Sequence, residues 1–131
     1  MIFLDTSAIY AWTDSADRNH QAAVGALQQI LISGEQLITH NYVLLETITL
    51  IQARLGVAAA LKLIKDSSQF EIEWIDKNIH DLGTAALGKS AKRRVTLVDQ
   101  ISFLTMRRRK LTTAFAFDPH FKIAGFHLFE V

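Results

Sequence analysis

Short apolar runs alternating with longer stretches of helical periodicity constrain this chain more than any other feature. The first run, Met1–Leu4, is rich in strand formers and closes on Asp5-Thr6-Ser7, the pattern of a buried first strand. Asp14–Asp17 is a polar break. A helix follows from about Arg18 to Ile32, with Ala22, Ala23, Ala26, Leu27, Ile30 and Leu31 at helical spacing and Ser33-Gly34 at its end. Gln36–Thr39 reads as a second strand. Asn41 is placed to cap a helix whose apolar face includes Val43, Leu44, Ile48 and Ile51, and Gly56 separates it from a helix over Val57 to about Lys65. Phe70–Ile75 alternates Phe, Ile and Trp with Glu71 and Glu73, as a half-buried strand does. Asn78–Asp81 opens a helix to about Leu87, and Thr96–Asp99 opens one to about Arg109. Thr113–Phe117 and Leu128–Val131 read as the last two strands, separated by Asp118-Pro119. Strands alternating with helices predict an α/β domain with a mainly parallel sheet, and right-handed crossovers put helices on both of its faces.

The 131 residues give one domain, 1–131, with a sizeable core. Half are hydrophobic, 21% are charged, and Gly and Pro number 6 and 1, which excludes disordered, collagen-like and low-complexity chains. The absence of cysteine removes disulfides, thiolate metal sites and a Cys nucleophile. Met1–Ser7 has no basic region and meets an acid at position 5, unlike a signal peptide, and no apolar run approaches the ~20 residues of a membrane helix. The expectation is a soluble, cytoplasmic protein. The net charge of +1 hides a split: residues 1–91 carry 10 acids and 6 bases, residues 92–131 carry 8 bases and 3 acids. Such a split fits an anionic partner, and it equally fits solvated helix faces.

Four acids stand in apolar surroundings where solvated charge is unexpected. Asp5 follows Met1–Leu4, Glu46 lies inside Tyr42–Ile51, Asp99 is embedded in Val95–Leu104, and Asp118 follows Ala114–Phe117. In a parallel α/β sheet the ligand crevice lies beyond the carboxyl ends of the strands. Asp5 and Asp118 each end an apolar strand, and Asp99 and Glu46 lie in early turns of helices that begin near the same edge. Four carboxylates that converge need a cation, and an all-oxygen set without Cys or paired His points to Mg²⁺ or Mn²⁺ and to phosphate chemistry.

Each acid also has a purely structural reading. Asp5 can open an Asx-turn with Ser7, Glu46 can face solvent, and Asp118 before Pro119 is a common turn opener. Thr96-x-x-Asp99 is a capping-box pattern. The five histidines include no i, i+4 pair, and neither a Gly-rich phosphate loop nor a G-x-S-x-G elbow occurs. Arg107-Arg108-Arg109-Lys110 suits a helix C-terminus as well as a nucleic-acid contact. Trp12 and Trp74 read as packing residues.

Taken in order, Leu4-Asp5-Thr6-Ser7-Ala8, Glu46, Thr96-Leu97-Val98-Asp99-Gln100-Ile101-Ser102-Phe103 and Phe117-Asp118-Pro119-His120-Phe121 resemble the PIN-domain ribonucleases, and among them the VapC-type toxins of toxin–antitoxin pairs. The resemblance spans essentially the whole chain. It implies a three-layer fold with a five-stranded, mainly parallel sheet between helices, and a metal-dependent endoribonuclease acting on single-stranded RNA. It makes Asp5 and Asp99 principal metal ligands, with Glu46 and Asp118 binding metal directly or through water. Ser7, with Thr6 beside it, would support the first acid. Arg93, Arg94, Arg107, Arg108 and Arg109 are the candidate RNA contacts. A cognate antitoxin and a homodimer are the expected partners. A non-catalytic PIN-like module that binds RNA or protein is the alternative, and a phospho-acceptor domain is disfavoured because Asp5 has no acidic neighbour.

Overall fold

The computed structural model describes residues 1–90 and 92–130. Five strands form one sheet: β1 (Ile2–Leu4), β2 (Leu37–His40), β3 (Glu71–Glu73), β4 (Thr113–Phe115) and β5 (His127–Leu128). Their spatial order is β3-β2-β1-β4-β5 and every pairing is parallel. The helices are α1 (Thr6–Thr13), α2 (His20–Ser33), α3 (Asn41–Leu55), α4 (Val57–Asp66), α5 (Lys77–Ser90), α6 (Leu97–Arg108) and α7 (His120–Ile123). From β1 the chain moves outward through β2 to β3, then returns to the other side of β1 with β4 and β5. Right-handed crossovers therefore send α1–α4 to one face and α5–α7 to the other. The packing follows that division, with α1 on α2 and α3, α3 on α4, and α5 on α6.

The central strands are buried on both faces, as continuous apolar runs in a parallel sheet require. Phe3, Phe115, Phe121, Ile30, Ile51 and Met106 are among the side chains fully enclosed between the layers. Phe121 packs against Phe3 and meets Phe103 edge-on, which joins α7 and α6 to the sheet.

Several local expectations give way to side-chain hydrogen bonds. The sequence predicts no helix between Asp5 and Asp14, where α1 lies: Asp5 is its N-cap, accepting from the Ser7 N–H, so strand and helix join directly. The cap of α3 is His40, whose ring accepts the Val43 N–H, while Asn41 Oδ1 accepts the Ile75 N–H and ends β3 early. β4 stops at Phe115, and the Phe117 N–H goes to Ser7 Oγ. The last strand falls at His127–Leu128, one residue earlier than expected, and Val131 lies outside the described residues. Trp74 is 73% exposed and packs into no core, whereas Trp12 lies against it. Leu31 faces solvent as well.

Candidate active site

The strand order reverses at β1 and β4, so the crevice of this sheet opens between their carboxyl ends. Asp5 follows β1 directly and its backbone N–H donates to the Phe115 carbonyl of β4 (3.1 Å). Asp118 lies three residues beyond β4. Ser7 fastens the two strand ends together. Its Oγ donates to Asp5 Oδ2 (2.6 Å) and accepts the Phe117 N–H (2.9 Å), one residue before Asp118. The Ser7 N–H adds a second bond to Asp5 Oδ2 (3.1 Å).

Asp99 enters from the first turn of α6. The capping box expected from the sequence is formed: Asp99 Oδ2 accepts the Thr96 N–H (2.9 Å), and Thr96 Oγ1 accepts the Asp99 N–H (3.2 Å). The cap and the site are one structure, because the N-terminus of α6 sits at the strand carboxyl edge. Glu46 comes from the second turn of α3 on the other face. A buried link sets α3 against α6. Ser102 Oγ donates to the Val98 carbonyl (2.9 Å), so it receives its bond from His40 Nε2–H (2.9 Å), while His40 Nδ1 accepts from Val43 (3.2 Å). That pairing fixes a neutral ring, and burial drives its pKa down to about 3.

The resulting cleft, about 430 Å³, is lined by Asp5, Thr6, Ser7, Glu46, Asp99 and Asp118, with Tyr10, Arg18 and Arg94 among the other residues on its walls. Asp5 and Asp99 are 4% and 7% exposed. Burial pushes Asp5 up to about 6, and the Asp99 and Asp118 carboxylates add to that against the opposing bonds from Ser7. Burial likewise raises Asp99, with Asp118 adding to it and the Thr96 bonds opposing it. Asp5 and Asp99 thus ionise against burial and against neighbouring carboxylates in one hollow, a situation a cation relieves.

The residues present fit a divalent ion. The donors are hard carboxylate oxygens, and Thr6 Oγ1 is buried in the cleft wall without a hydrogen-bond partner. Ligand atoms of Asp99, Asp118 and His120 lie within 4.8 Å of one another, the group of three metal-ligating side chains found among the described residues. Asp5 and Glu46 line the same cleft outside that trio. A hollow of equal volume between α2, α4 and β3, lined by Trp12, Leu27 and Phe70, contains no such trio among the described residues.

The basic residues divide. Arg94 reaches the cleft wall, and Arg93 is exposed beside it. Arg107, Arg108 and Arg109 end α6 about 13 Å along the helix from Asp99, toward the opposite edge of the sheet. There Arg109 pairs with Glu73 (2.8 Å) and Glu71 (3.2 Å), and Arg107 donates to the Ala124 carbonyl and stacks over Phe126. Two residues escaped the sequence reading, Arg18 on the cleft wall and His120 beside Asp118. Arg18 had been placed at a helix start, and a lone His120 after Asp-Pro has no metal-ligand spacing to mark it.

The profile of the PIN domain family matches residues 2–126. The chain belongs to that family. The 23S rRNA-specific endonuclease VapC20 of Mycobacterium tuberculosis is 33% identical over 129 residues, which cover 96% of this chain and 95% of the relative. The crystal structure of M. tuberculosis VapC20, described as a Sarcin-Ricin loop cleaving toxin, matches with a TM-score of 0.84 at 32% identity over 96% of both chains. FitAcB from Neisseria gonorrhoeae shares the fold at a TM-score of 0.68 and 16% identity, over 99% of this chain and 97% of that one. The three-layer PIN architecture expected from the motifs is the one observed.

Proposed function

We propose that this PIN domain is an endoribonuclease that hydrolyses phosphodiester bonds of single-stranded RNA with Mg²⁺ or Mn²⁺, and that it is the toxin of a toxin–antitoxin pair. The observation that carries the reading is the convergence of Asp5, Asp99 and Asp118 on one cleft at the switch point of the sheet, with Asp5 and Asp99 buried and raised in pKa by that burial and by the carboxylates beside them. The VapC20 likeness supports it with a relative of the same length that cleaves 23S rRNA. All four expected acids line the cleft, which disfavours a non-catalytic binding module.

In this reading Asp5, Asp99 and Asp118 hold the ion, and Glu46 reaches it directly or through water. A divalent ion held by these residues would supply a bound water of lowered pKa and positive charge to offset that on the leaving oxygen. Ser7 keeps Asp5 aimed at the cleft and fixes its distance from Asp118. Thr96 holds the Asp99 carboxylate by its backbone N–H, and the His120 N–H holds Asp118 Oδ1 (2.9 Å). Pre-set ligands of this kind avoid reorganisation during the reaction. Arg18 and Arg94 on the cleft wall contact the RNA phosphates, which position the strand without reading its sequence.

The protein partners belong to the same proposal. Val57, Leu61 and Ile64 form an exposed i, i+4, i+7 stripe on α4, apolar surface of the kind a second chain covers. No helix among the described residues is long and apolar enough to cross a membrane, and the cytoplasm is the proposed location.

Purified protein incubated with single-stranded RNA and with DNA of the same sequence, in Mn²⁺, Mg²⁺ or EDTA, tests the assignment. It requires RNA cleavage in at least one of the metals and none in EDTA. Equal cleavage of the DNA, or RNA cleavage that survives EDTA, contradicts it.

A further inference from the structure

His120 begins α7 one residue after Pro119, and the turn sets its ring beside Asp118. Nδ1 lies 2.7 Å from Asp118 Oδ1, yet it makes no hydrogen bond and is sealed from solvent. Asp118 Oδ1 is already engaged by the His120 backbone N–H. An imidazole lone pair and a carboxylate oxygen are both electron-rich. So close an approach off hydrogen-bond geometry is favourable only where positive charge lies between the two atoms, either a proton on the imidazole or a cation facing both. A carboxylate oxygen of Asp99 faces the same point, since all three ligand atoms fall within 4.8 Å. Bonds of about 2.1 Å to one ion would hold neighbouring ligand atoms about 3 Å apart, a small adjustment from this spacing.

We propose that His120 Nδ1 is a direct ligand of the divalent ion held by Asp99 and Asp118, and that this nitrogen biases the site toward Mn²⁺ over Mg²⁺. The inference rests on the metal reading of the acidic cleft. Imidazole suits transition ions, whereas carboxylate, carbonyl and water ligands serve Mg²⁺ and Mn²⁺ alike. Losing the nitrogen therefore penalises Mn²⁺ more than Mg²⁺. The same ligation explains why Nδ1 is buried without a partner among the described residues.

The test uses the full chain without RNA. Pulsed electron paramagnetic resonance of the Mn²⁺-loaded protein should show nitrogen modulation from a directly bound imidazole, and the signal should vanish in His120→Ala and in His120→Gln, which keeps the volume. Calorimetric titration should show Mn²⁺ affinity falling about 10–100-fold in both variants, with Mg²⁺ affinity changing much less. Mn²⁺ bound to the parent without nitrogen modulation overturns the proposal and leaves the acids as ligands. Mn²⁺ and Mg²⁺ affinities that fall in parallel also overturn it, and make His120 a positioning residue for Asp118. A parent that binds neither ion overturns both this inference and the metal reading beneath it.

Discussion

Ser7 bonds through one oxygen to the acid that ends β1 and to the backbone just before Asp118. Replacing it with Ala leaves the part-buried Phe117 N–H unpaired and the Asp5 carboxylate less well held. Ser7→Ala is expected to cost about 1–3 kcal/mol in chemical denaturation, the penalty of an orphaned buried group, and to slow RNA cleavage. Asp99 is both an N-terminal capping acid and a proposed ligand, and two substitutions separate these roles. In EDTA, Asp99→Asn keeps an oxygen for the Thr96 N–H while removing a repelled charge, so stability should hold or rise by about 0.5–2 kcal/mol. Asp99→Ala loses the cap bond as well and should melt lower than Asp99→Asn. Both should lose most of the stabilisation that Mn²⁺ gives the parent by binding only the folded state. Melting curves of the three proteins with EDTA and with Mn²⁺ check this, and a parent that Mn²⁺ fails to stabilise would refute it. The four acids could be picked out in the sequence because each interrupts an apolar run. His120 could not, since its meaning depends on a turn that folds it back onto Asp118.

At the scale of elements, the strand–helix alternation was readable and the junctions were not. Asp5-Thr6-Ser7 has the composition of a loop, but Asp5 caps α1, so a helix of eight residues starts where the sequence signals a stop. β3 and β4 are shorter than their apolar runs because Asn41 and Ser7 divert the Ile75 and Phe117 amides, long-range contacts that no local pattern encodes. Gly83 of α5 marks another such contact. A Cβ there would meet Ile101 Cδ1 of α6 at 2.2 Å, and Ile101 is fully buried. Gly83→Ala should gain up to about 1 kcal/mol in helix propensity and lose about 1–3 to overpacking. The expected outcome is a Tm lower by a few degrees and slower cleavage, because α6 carries Asp99. His40, which links β2, α3 and α6, governs acid stability. Its folded pKa of about 3 lies below the unfolded value, so its contribution is complete above about 6.5 and is lost as pH falls toward 3. Asp5 has the opposite sign without metal. Its folded pKa of about 6 exceeds the 3.8 of an unfolded chain, so its contribution is present below about 4 and is lost as pH rises through 6. The two slopes, each at most about 1.4 kcal/mol per pH unit, oppose each other between pH 4 and 6. Denaturation in EDTA should show an Asp5→Asn variant whose stability rises more with pH than the parent's, and a His40→Asn variant whose stability falls more steeply than the parent's.

The charge split of the sequence does not mark one RNA-binding face of the whole molecule. Arg107–Arg109 stand at the end remote from the cleft, where Arg109 is committed to Glu71 and Glu73, whereas Arg18 of the acidic portion joins Arg94 at the cleft. Neutralising Arg18 and Arg94 should weaken RNA binding with little sequence dependence and flatten its salt slope by roughly 0.7 per lost contact, as filter binding across salt concentrations would show. Neutralising Arg107 and Arg109 should chiefly lower the Tm. The central claim, that the acids gathered from β1, α6 and the turn after β4 bind one metal centre that cleaves RNA, is tested most directly on a labelled single-stranded RNA fragment. The measurement is the initial cleavage rate in Mn²⁺ for the parent and for Asp99→Asn, with the fold of the variant checked by circular dichroism. The account predicts that the parent cuts the fragment and that the folded variant is slower by about 100-fold or more; a folded Asp99→Asn that cuts at the parent rate would contradict it.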